Sequence, residues 1–146
     1  MKIGILGGTG PAGSALAARL ADVGYETIIG SRSKYKAMET VDELQAKWAG
    51  RDLHIVAGDN ASAATADVVV IATPWDGAYG TATSVADALS GKVVICMANA
   101  LTRIGKEFQP LGPPRVSVAA SVQAAVPRCM VAAGFHHVPA KELGDL

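Results

Sequence analysis

Three glycines near the start of the chain, Gly8, Gly10 and Gly13, follow a short apolar segment in the spacing G-x-G-x-x-G. Where such a segment is a strand and the glycines open a helix, the turn binds the pyrophosphate of a dinucleotide. Gly8 would allow the tight turn, Gly10 would let backbone N–H groups approach the phosphates, and Gly13 would let helix and strand pack closely. The phosphates would lie at the partly positive N-terminus of the helix.

A second group of chemically informative residues follows the next apolar run, residues 27–29, which ends in Gly30, Ser31 and Arg32, with Lys36 a turn later. Proteins that bind NAD usually place Asp or Glu at this strand end, where it binds the 2′-hydroxyl of the adenosine ribose. Here hydroxyls and cations stand instead, and arginine binds phosphate through paired charge-assisted hydrogen bonds. The pattern favours NADP(H) over NAD(H), the alternative being a solvated basic loop before a helix.

Strands and helices alternate along the chain, which predicts how these residues are held. Short connections between alternating elements indicate an α/β fold with a doubly wound parallel sheet, the Rossmann fold. We expect strands at residues 2–6, 26–30, 52–57, 68–72, 93–97 and 129–135, and helices at residues 10–23, 34–48, 60–66, 78–89 and 116–126. Asn60 is the expected cap of the third helix. Apolar spacing predicts core positions at Leu16, Leu20, Val23, Met38, Val41, Leu44 and Trp48.

Ligands of such sheets bind beyond the carboxyl ends of the strands. Residues 73–75, 97–100 and 136–139 follow the fourth, fifth and sixth predicted strands, so they could share a cleft with the glycine turn. Each also has a structural interpretation. Trp75 could pack under the following helix, Asn99 could complete a turn, and His136 could make a local hydrogen bond at a strand end.

Composition narrows the class of protein. The 146 residues fit one domain, half of them are apolar and the formal net charge is zero, which argues against nucleic acid or an anionic membrane as partner. Cys96 and Cys129 form no C-x-x-C motif and suggest small buried residues in a reducing compartment. We see no metal-ligand cluster, signal segment or membrane-spanning run, and we expect a cytoplasmic protein.

With these segments identified, the chain resembles the F420H2:NADP oxidoreductases, NADPH-dependent reductases of the 5-deazaflavin coenzyme F420. The resemblance implies direct hydride transfer between nicotinamide C4 and deazaflavin C5, with no catalytic side chain. It also implies that Thr9, Ser31, Arg32 and Lys36 bind the NADP 2′-phosphate. The residues that carry the resemblance are residues 6–10 with Gly13, residues 30–32 with Lys36, residues 73–75 and residues 136–140.

The same resemblance assigns the remaining contacts. Residues 8–13 would hold the pyrophosphate, Pro74 and Trp75 would border the cleft, and Ala98 and Asn99 would lie near the nicotinamide. His136 and Val138 would lie against the deazaflavin ring. The predicted cofactor-binding set is Gly8, Thr9, Gly10, Pro11, Ala12, Gly13, Ser31, Arg32, Lys36, Thr73, Pro74, Trp75, Ala98, Asn99, His136 and Val138.

The chain departs from the family in one respect, because family members continue beyond the His-x-x-Pro segment into a small lobe that covers the deazaflavin and supports dimer contacts. We therefore expect residues 1–146 to correspond to the NADP-binding domain of a longer reductase, with a homodimer possible in the full-length form. Two alternatives remain open. One is a non-catalytic NADP-binding module, and the other is an NADPH-dependent flavin or metal reductase domain like those of metalloreductases.

Overall fold

A computed structural model describes the whole chain, residues 1–146. Its strands are β1 (Lys2–Leu6), β2 (Glu26–Ser31), β3 (Ile55–Asp59), β4 (Val68–Ile71), β5 (Val93–Cys96), β6 (Leu101–Ile104), β7 (Glu107–Pro110) and β8 (Met130–Ala133). Its helices are α1 (Pro11–Asp22), α2 (Lys34–Lys47), α3 (Asn60–Ala64), α4 (Trp75–Ser84), α5 (Ala86–Leu89), α6 (Val118–Ala125) and α7 (Ala140–Leu143).

Six of the strands form one parallel sheet in the order β3-β2-β1-β4-β5-β8. The chain runs outward from β1 to β3 and then returns to β4 on the other side of β1, so the strand order reverses between β1 and β4. The expected doubly wound α/β fold is confirmed. In such a sheet the crevice at the reversal point is where ligands bind.

The continuous β-branched run in β4 is explained by burial on both faces of the sheet. Val69 and Ile71 belong to a core beneath α3–α6, whereas Val70 belongs to a second core beneath α1 and α2. β1 divides in the same way, with Leu6 in the first core and Ile5 in the second. Residues buried on both faces are typical of central strands in parallel sheets, as predicted.

Several element boundaries differ from those expected. The third strand is Ile55–Asp59 rather than residues 52–57, and the sixth strand of the main sheet is only Met130–Ala133. The expected helix at residues 78–89 begins instead at Trp75, directly after Pro74, and breaks at Val85. Proline just before a helix is favourable because its missing N–H would have no partner there.

Two residues expected in the core are exposed. Val23 is 61% exposed because α1 ends at Asp22, and Met38 is 49% exposed because α2 buries a neighbouring stripe that contains Ala37, Thr40 and Val41. Leu16 and Val41 are buried as predicted. Leu20, Leu44 and Trp48 are partly buried against the core beneath α1 and α2.

Three further features complete the fold. A β6–β7 hairpin that the sequence did not predict stands apart from the main sheet. α7 packs on α1, where the Arg19 guanidinium donates to the carbonyl oxygens of Leu143 and Asp145. Cys96 and Cys129 are buried free thiols, as expected. No helix combines the length and the apolar character needed to cross a membrane.

Candidate dinucleotide-binding site

The glycine turn joins β1 to α1 at the point where the strand order reverses. We had expected Gly8 to allow the tight turn, but Gly7 is the residue with the left-handed backbone, with φ of +69°. The turn therefore depends on Gly7. The Gly8 N–H donates to the Gly30 carbonyl oxygen at 2.9 Å, which ties the turn to β2. A Cβ atom on Gly8 would lie only 2.9 Å from the Ile5 carbonyl oxygen, so a side chain there has no room.

Gly10 and Gly13 differ in what the surrounding protein requires of them. A Cβ atom on Gly13 would lie 2.8 Å from the Gly8 Cα atom, so Gly13 allows the close packing predicted for it. A Cβ atom on Gly10 would meet only the Gly7 carbonyl oxygen, at 3.9 Å. The protein therefore leaves space in front of Gly10, where a bound phosphate could approach the backbone.

The N-terminus of α1 has free hydrogen-bonding capacity. The first intrahelical bond runs from the Ser14 N–H to the Gly10 carbonyl oxygen at 2.9 Å, so Ala12 and Gly13 have no acceptor within the helix. Pro11 has no N–H to satisfy, and no side chain caps the helix. This arrangement can accept an anion such as a pyrophosphate.

The basic loop after β2 is shaped by two serines. Ser31 is buried, and its Oγ atom accepts a hydrogen bond from the Ser33 N–H at 3.2 Å. Ser33 in turn caps α2 by accepting from the Lys36 N–H at 3.4 Å. Arg32 and Lys36 are exposed, and neither appears in any ion pair of the structure. Their charges are available to a phosphate group.

Asp59 is a carboxylate in this region that sequence reasoning did not single out, because we expected β3 to end at residue 57. It pairs in register with Ser31 and accepts hydrogen bonds from the N–H and Oγ of Ser62, at 2.7 and 2.6 Å. These bonds, with a smaller contribution from the charge of Lys34, lower the pKa of the Asp59 carboxyl. Asp59 therefore caps α3, and the expectation that Asn60 does so was wrong.

Asn60 instead reaches the glycine turn. Its Oδ1 atom accepts a hydrogen bond from the Gly7 N–H at 3.2 Å, between residues 53 positions apart in the chain. The local pattern of residues gives no signal for such a contact.

Thr73, which follows β4, lies against the same turn. A Cβ atom on Gly7 would be 2.5 Å from the Thr73 Cγ2 atom. The Thr73 hydroxyl oxygen is buried and has no hydrogen-bond partner in the protein. Buried polar atoms are rarely left unpaired, so the Thr73 hydroxyl is an unsatisfied polar group in a residue that packs against the glycine turn.

Pro74 directly precedes α4, and Trp75 is the first residue of that helix. Both follow Thr73, which lies against Gly7 of the glycine turn. Trp75 is 36% exposed and lines a cavity of about 360 Å³ between α4 and α6, together with Tyr79 and Arg115. No residue of the glycine turn lines this cavity. The structure therefore places Trp75 on the side of α4 that faces α6.

The segments after β5 and β8 are joined by a hydrogen bond. The Asn99 side-chain amide donates to the His136 carbonyl oxygen at 3.3 Å. The His136 ring is exposed and meets the His137 ring edge-on, with centroids 5.2 Å apart. Ala98 and Val138 are half-buried. The two segments that we expected to approach the reacting rings are thus held together at one edge of the sheet.

Comparisons with known proteins agree with this geometry. Residues 2–100 match the family model described as NADP oxidoreductase, coenzyme F420-dependent. The F420-dependent NADP reductase of Methanocaldococcus jannaschii is 38% identical over 151 residues, a match that covers 100% of this chain and 67% of that protein. The enzyme of the same name from Methanothermobacter marburgensis is 42% identical over 96 residues, covering 65% of this chain and 43% of that protein.

A solved structure from Arthrobacter sp. FB24, provisionally assigned as an F420-dependent NADP reductase, has a TM-score of 0.79 and 27% sequence identity, covering 97% of this chain and 65% of that one. This chain therefore spans between 43% and 67% of the length of these relatives. Since the family model matches residues 2–100 and a relative matches along the entire chain, the chain belongs to the F420-dependent NADP oxidoreductase family.

Proposed function

We propose that this chain binds NADP(H) and transfers a hydride between it and coenzyme F420, the activity for which its curated relatives are named. One observation carries the proposal. At the carboxyl ends of the adjacent strands β1 and β2, an open glycine turn lies beside a buried serine and exposed, unpaired cations. This is the combination that a pyrophosphate and a 2′-phosphate together require.

In this proposal the two phosphate-bearing parts of NADP(H) are bound by different segments. The pyrophosphate lies over residues 8–13, where Gly10 leaves the backbone accessible and the N–H groups of Ala12 and Gly13 can donate. The 2′-phosphate lies in the loop after β2, near Ser31, Arg32 and Lys36, with Thr9 beside it. Because NADH lacks the second phosphate, binding at this loop distinguishes the two cofactors.

The hydride step needs orientation more than acid–base groups, since nicotinamide and deazaflavin carry the redox chemistry themselves. NADPH gives up a hydride, with both electrons, to oxidised F420, and one proton from solvent completes the reduced product. We propose that Ala98 and Asn99 border the nicotinamide and that His136 and Val138 border the deazaflavin. The Asn99–His136 hydrogen bond then presets the distance between the two bordering segments.

Parallel titrations with NADPH and NADH, measured by isothermal titration calorimetry, test the binding step. We expect a strong preference for NADPH. Binding of neither cofactor, or equal binding of both, would contradict the proposed 2′-phosphate site.

An absorbance assay tests the transfer step. We expect NADPH to bleach oxidised F420, and FAD and FMN to be poor acceptors. NADPH binding without transfer to any acceptor would favour a non-catalytic NADP-binding module. Faster reduction of FAD or FMN than of F420 would favour a flavin reductase.

We also propose that the chain acts in the cytoplasm and that its partners are small molecules rather than nucleic acid. The zero formal net charge of the chain supports the last point, because nucleic-acid binding favours a basic protein. Homodimerisation belongs to the same proposal only for the longer form of the family.

A further inference from the structure

Helix α3 lies so close to strands β1 and β2 that only glycine fits beneath it. A Cβ atom on Gly4 of β1 would lie 1.8 Å from the Ala63 carbonyl oxygen, and one on Gly30 of β2 would lie 2.7 Å from the Ala63 Cβ atom. Neither distance leaves room for a side chain. The two glycines therefore allow α3 to pack directly on the backbone of the strands that lead to the glycine turn.

This close approach brings the first residue of α3, Asn60, to the end of β1. Its Oδ1 atom accepts the Gly7 N–H hydrogen bond at 3.2 Å in a partly buried position. The same oxygen would lie 3.1 Å from a Cβ atom on Gly30. The preceding residue, Asp59, fixes the start of α3 through its two hydrogen bonds to Ser62. Asn60 is thus positioned by the capping bonds of Asp59 before it and by its own hydrogen bond to Gly7.

Two consecutive N–H groups of the turn are consequently bound by the protein. Asn60 accepts from Gly7, and the Gly30 carbonyl accepts from Gly8. Gly7 is also the residue with the left-handed backbone, so its orientation decides the direction of the residues that follow. A turn fixed at these two groups keeps its shape before a ligand arrives, and preorganisation of this kind strengthens binding.

We infer that Asn60 is a positioning residue for the NADP(H) site: its amide oxygen holds the Gly7 peptide and presets the turn that receives the pyrophosphate. The inference rests on the proposed binding of NADP(H). An amide suits this position because it accepts a hydrogen bond without bringing negative charge toward an anionic ligand.

Substitution of Asn60 separates this role from a general effect on folding. In Asn60→Ala, loss of one neutral hydrogen bond should weaken NADPH binding by about three- to tenfold, and NADH binding by the same factor, because both cofactors carry the pyrophosphate. Binding of 2′-AMP, which has the 2′-phosphate but no pyrophosphate, should be unchanged. Equal weakening of 2′-AMP would indicate general disruption and overturn the inference.

The conservative variant and a matched control sharpen the test. Asn60→Asp keeps an acceptor for the Gly7 N–H but adds negative charge, so it should retain the melting temperature of the parent better than Asn60→Ala while still binding NADPH more weakly. Thr65→Ala removes a hydrogen bond at the far end of α3, from the Thr65 hydroxyl to the Ser62 carbonyl, and should leave NADPH affinity unchanged. Unchanged NADPH affinity in Asn60→Ala would refute the inference.

Amide hydrogen exchange gives a readout that does not depend on the cofactor. In the parent chain without ligand the Gly7 N–H should be protected, and in Asn60→Ala it should exchange faster while the Gly8 N–H keeps its protection. An unprotected Gly7 N–H in the parent chain would refute the inference even if NADPH binds. A parent chain that binds no NADPH would refute the proposed function and this role with it, and a protected Gly7 N–H would then show that the hydrogen bond itself is present.

Discussion

Removal of the Arg32 side chain is the most direct test of cofactor choice. In Arg32→Ala the loop after β2 loses one of its exposed cations, whereas the Ser31 hydroxyl and the charges of Lys34 and Lys36 remain. A hydrogen bond to a charged group contributes about 1.5–3 kcal/mol. Because Arg32 is exposed, solvent screens its charge, and we expect the lower part of this range.

A loss of about 1.5–2 kcal/mol corresponds to roughly 10- to 30-fold weaker NADPH binding. NADH binding should stay within about twofold of the parent, a change of under 0.5 kcal/mol, because NADH has no 2′-phosphate. The NADPH affinity of the parent should also fall with added salt more steeply than that of the variant, since exposed charges are screened within about 10 Å at 0.1 M salt.

Isothermal titration calorimetry of both proteins with both cofactors measures these effects. Arg103→Ala, which removes an exposed arginine from the β6–β7 hairpin, is the matched control and should leave both affinities unchanged. Equal losses for NADPH and NADH in Arg32→Ala would refute the assignment of the 2′-phosphate to this loop.

Three further predictions concern the turn, the α3 cap and the thiols. Gly10→Val should abolish binding of NADPH and NADH while thermal unfolding stays close to that of the parent, because a Cβ atom there meets no protein atom closer than 3.9 Å; retained binding would show that the pyrophosphate lies elsewhere. The pKa of Asp59 is lowered in the folded chain, so its contribution to stability is present above the ordinary value of 3.8 and is lost as the pH falls through the lower folded value. Urea unfolding between pH 5 and pH 3 should therefore lose less stability in Asp59→Asn than in the parent, and identical losses would contradict this. Burial raises the pKa of the Cys96 and Cys129 thiols, so a thiol reagent should modify the native chain slowly at neutral pH and the urea-unfolded chain quickly; rapid modification of the native chain would contradict their burial.

The main sheet was predictable because its residues carry local signals. The β-branched run of β4 is typical of a strand buried on both faces of a parallel sheet, and the glycine spacing after β1 is typical of a turn between a strand and a helix. The β6–β7 hairpin was missed because seven of its eight strand residues are exposed and none is buried, so no pattern of core residues marks it. Gly105, with φ of +63°, lies in the connection between the two strands and was the one available signal.

The sequence could predict which segments lie at the candidate site, but not the contacts that hold those segments in place. Topology places the ends of β1, β2 and β4 together, which is why the glycine turn, the loop after β2 and Thr73 were all expected at one edge. The hydrogen bond from Gly7 to Asn60 joins residues 53 positions apart and depends on how closely α3 packs. Likewise, the exposure of Met38 depends on the rotation of α2 against its neighbours, which helical spacing alone does not fix.

The start of α2 shows what the proposed preference for NADPH would cost in helix stability. The first turn of this helix contains Lys34 and Lys36, follows Arg32 and has no acidic residue, and of these cations Lys34 also interacts with the charge of Asp59. Positive charges at a helix N-terminus oppose the helix dipole and cost about 0.3–1 kcal/mol each. A dianionic 2′-phosphate would reverse this repulsion, so NADPH should stabilise the start of α2 and NADH should not. Part of the discrimination between the two cofactors would then come from charge repulsion at the start of α2 that only the 2′-phosphate relieves.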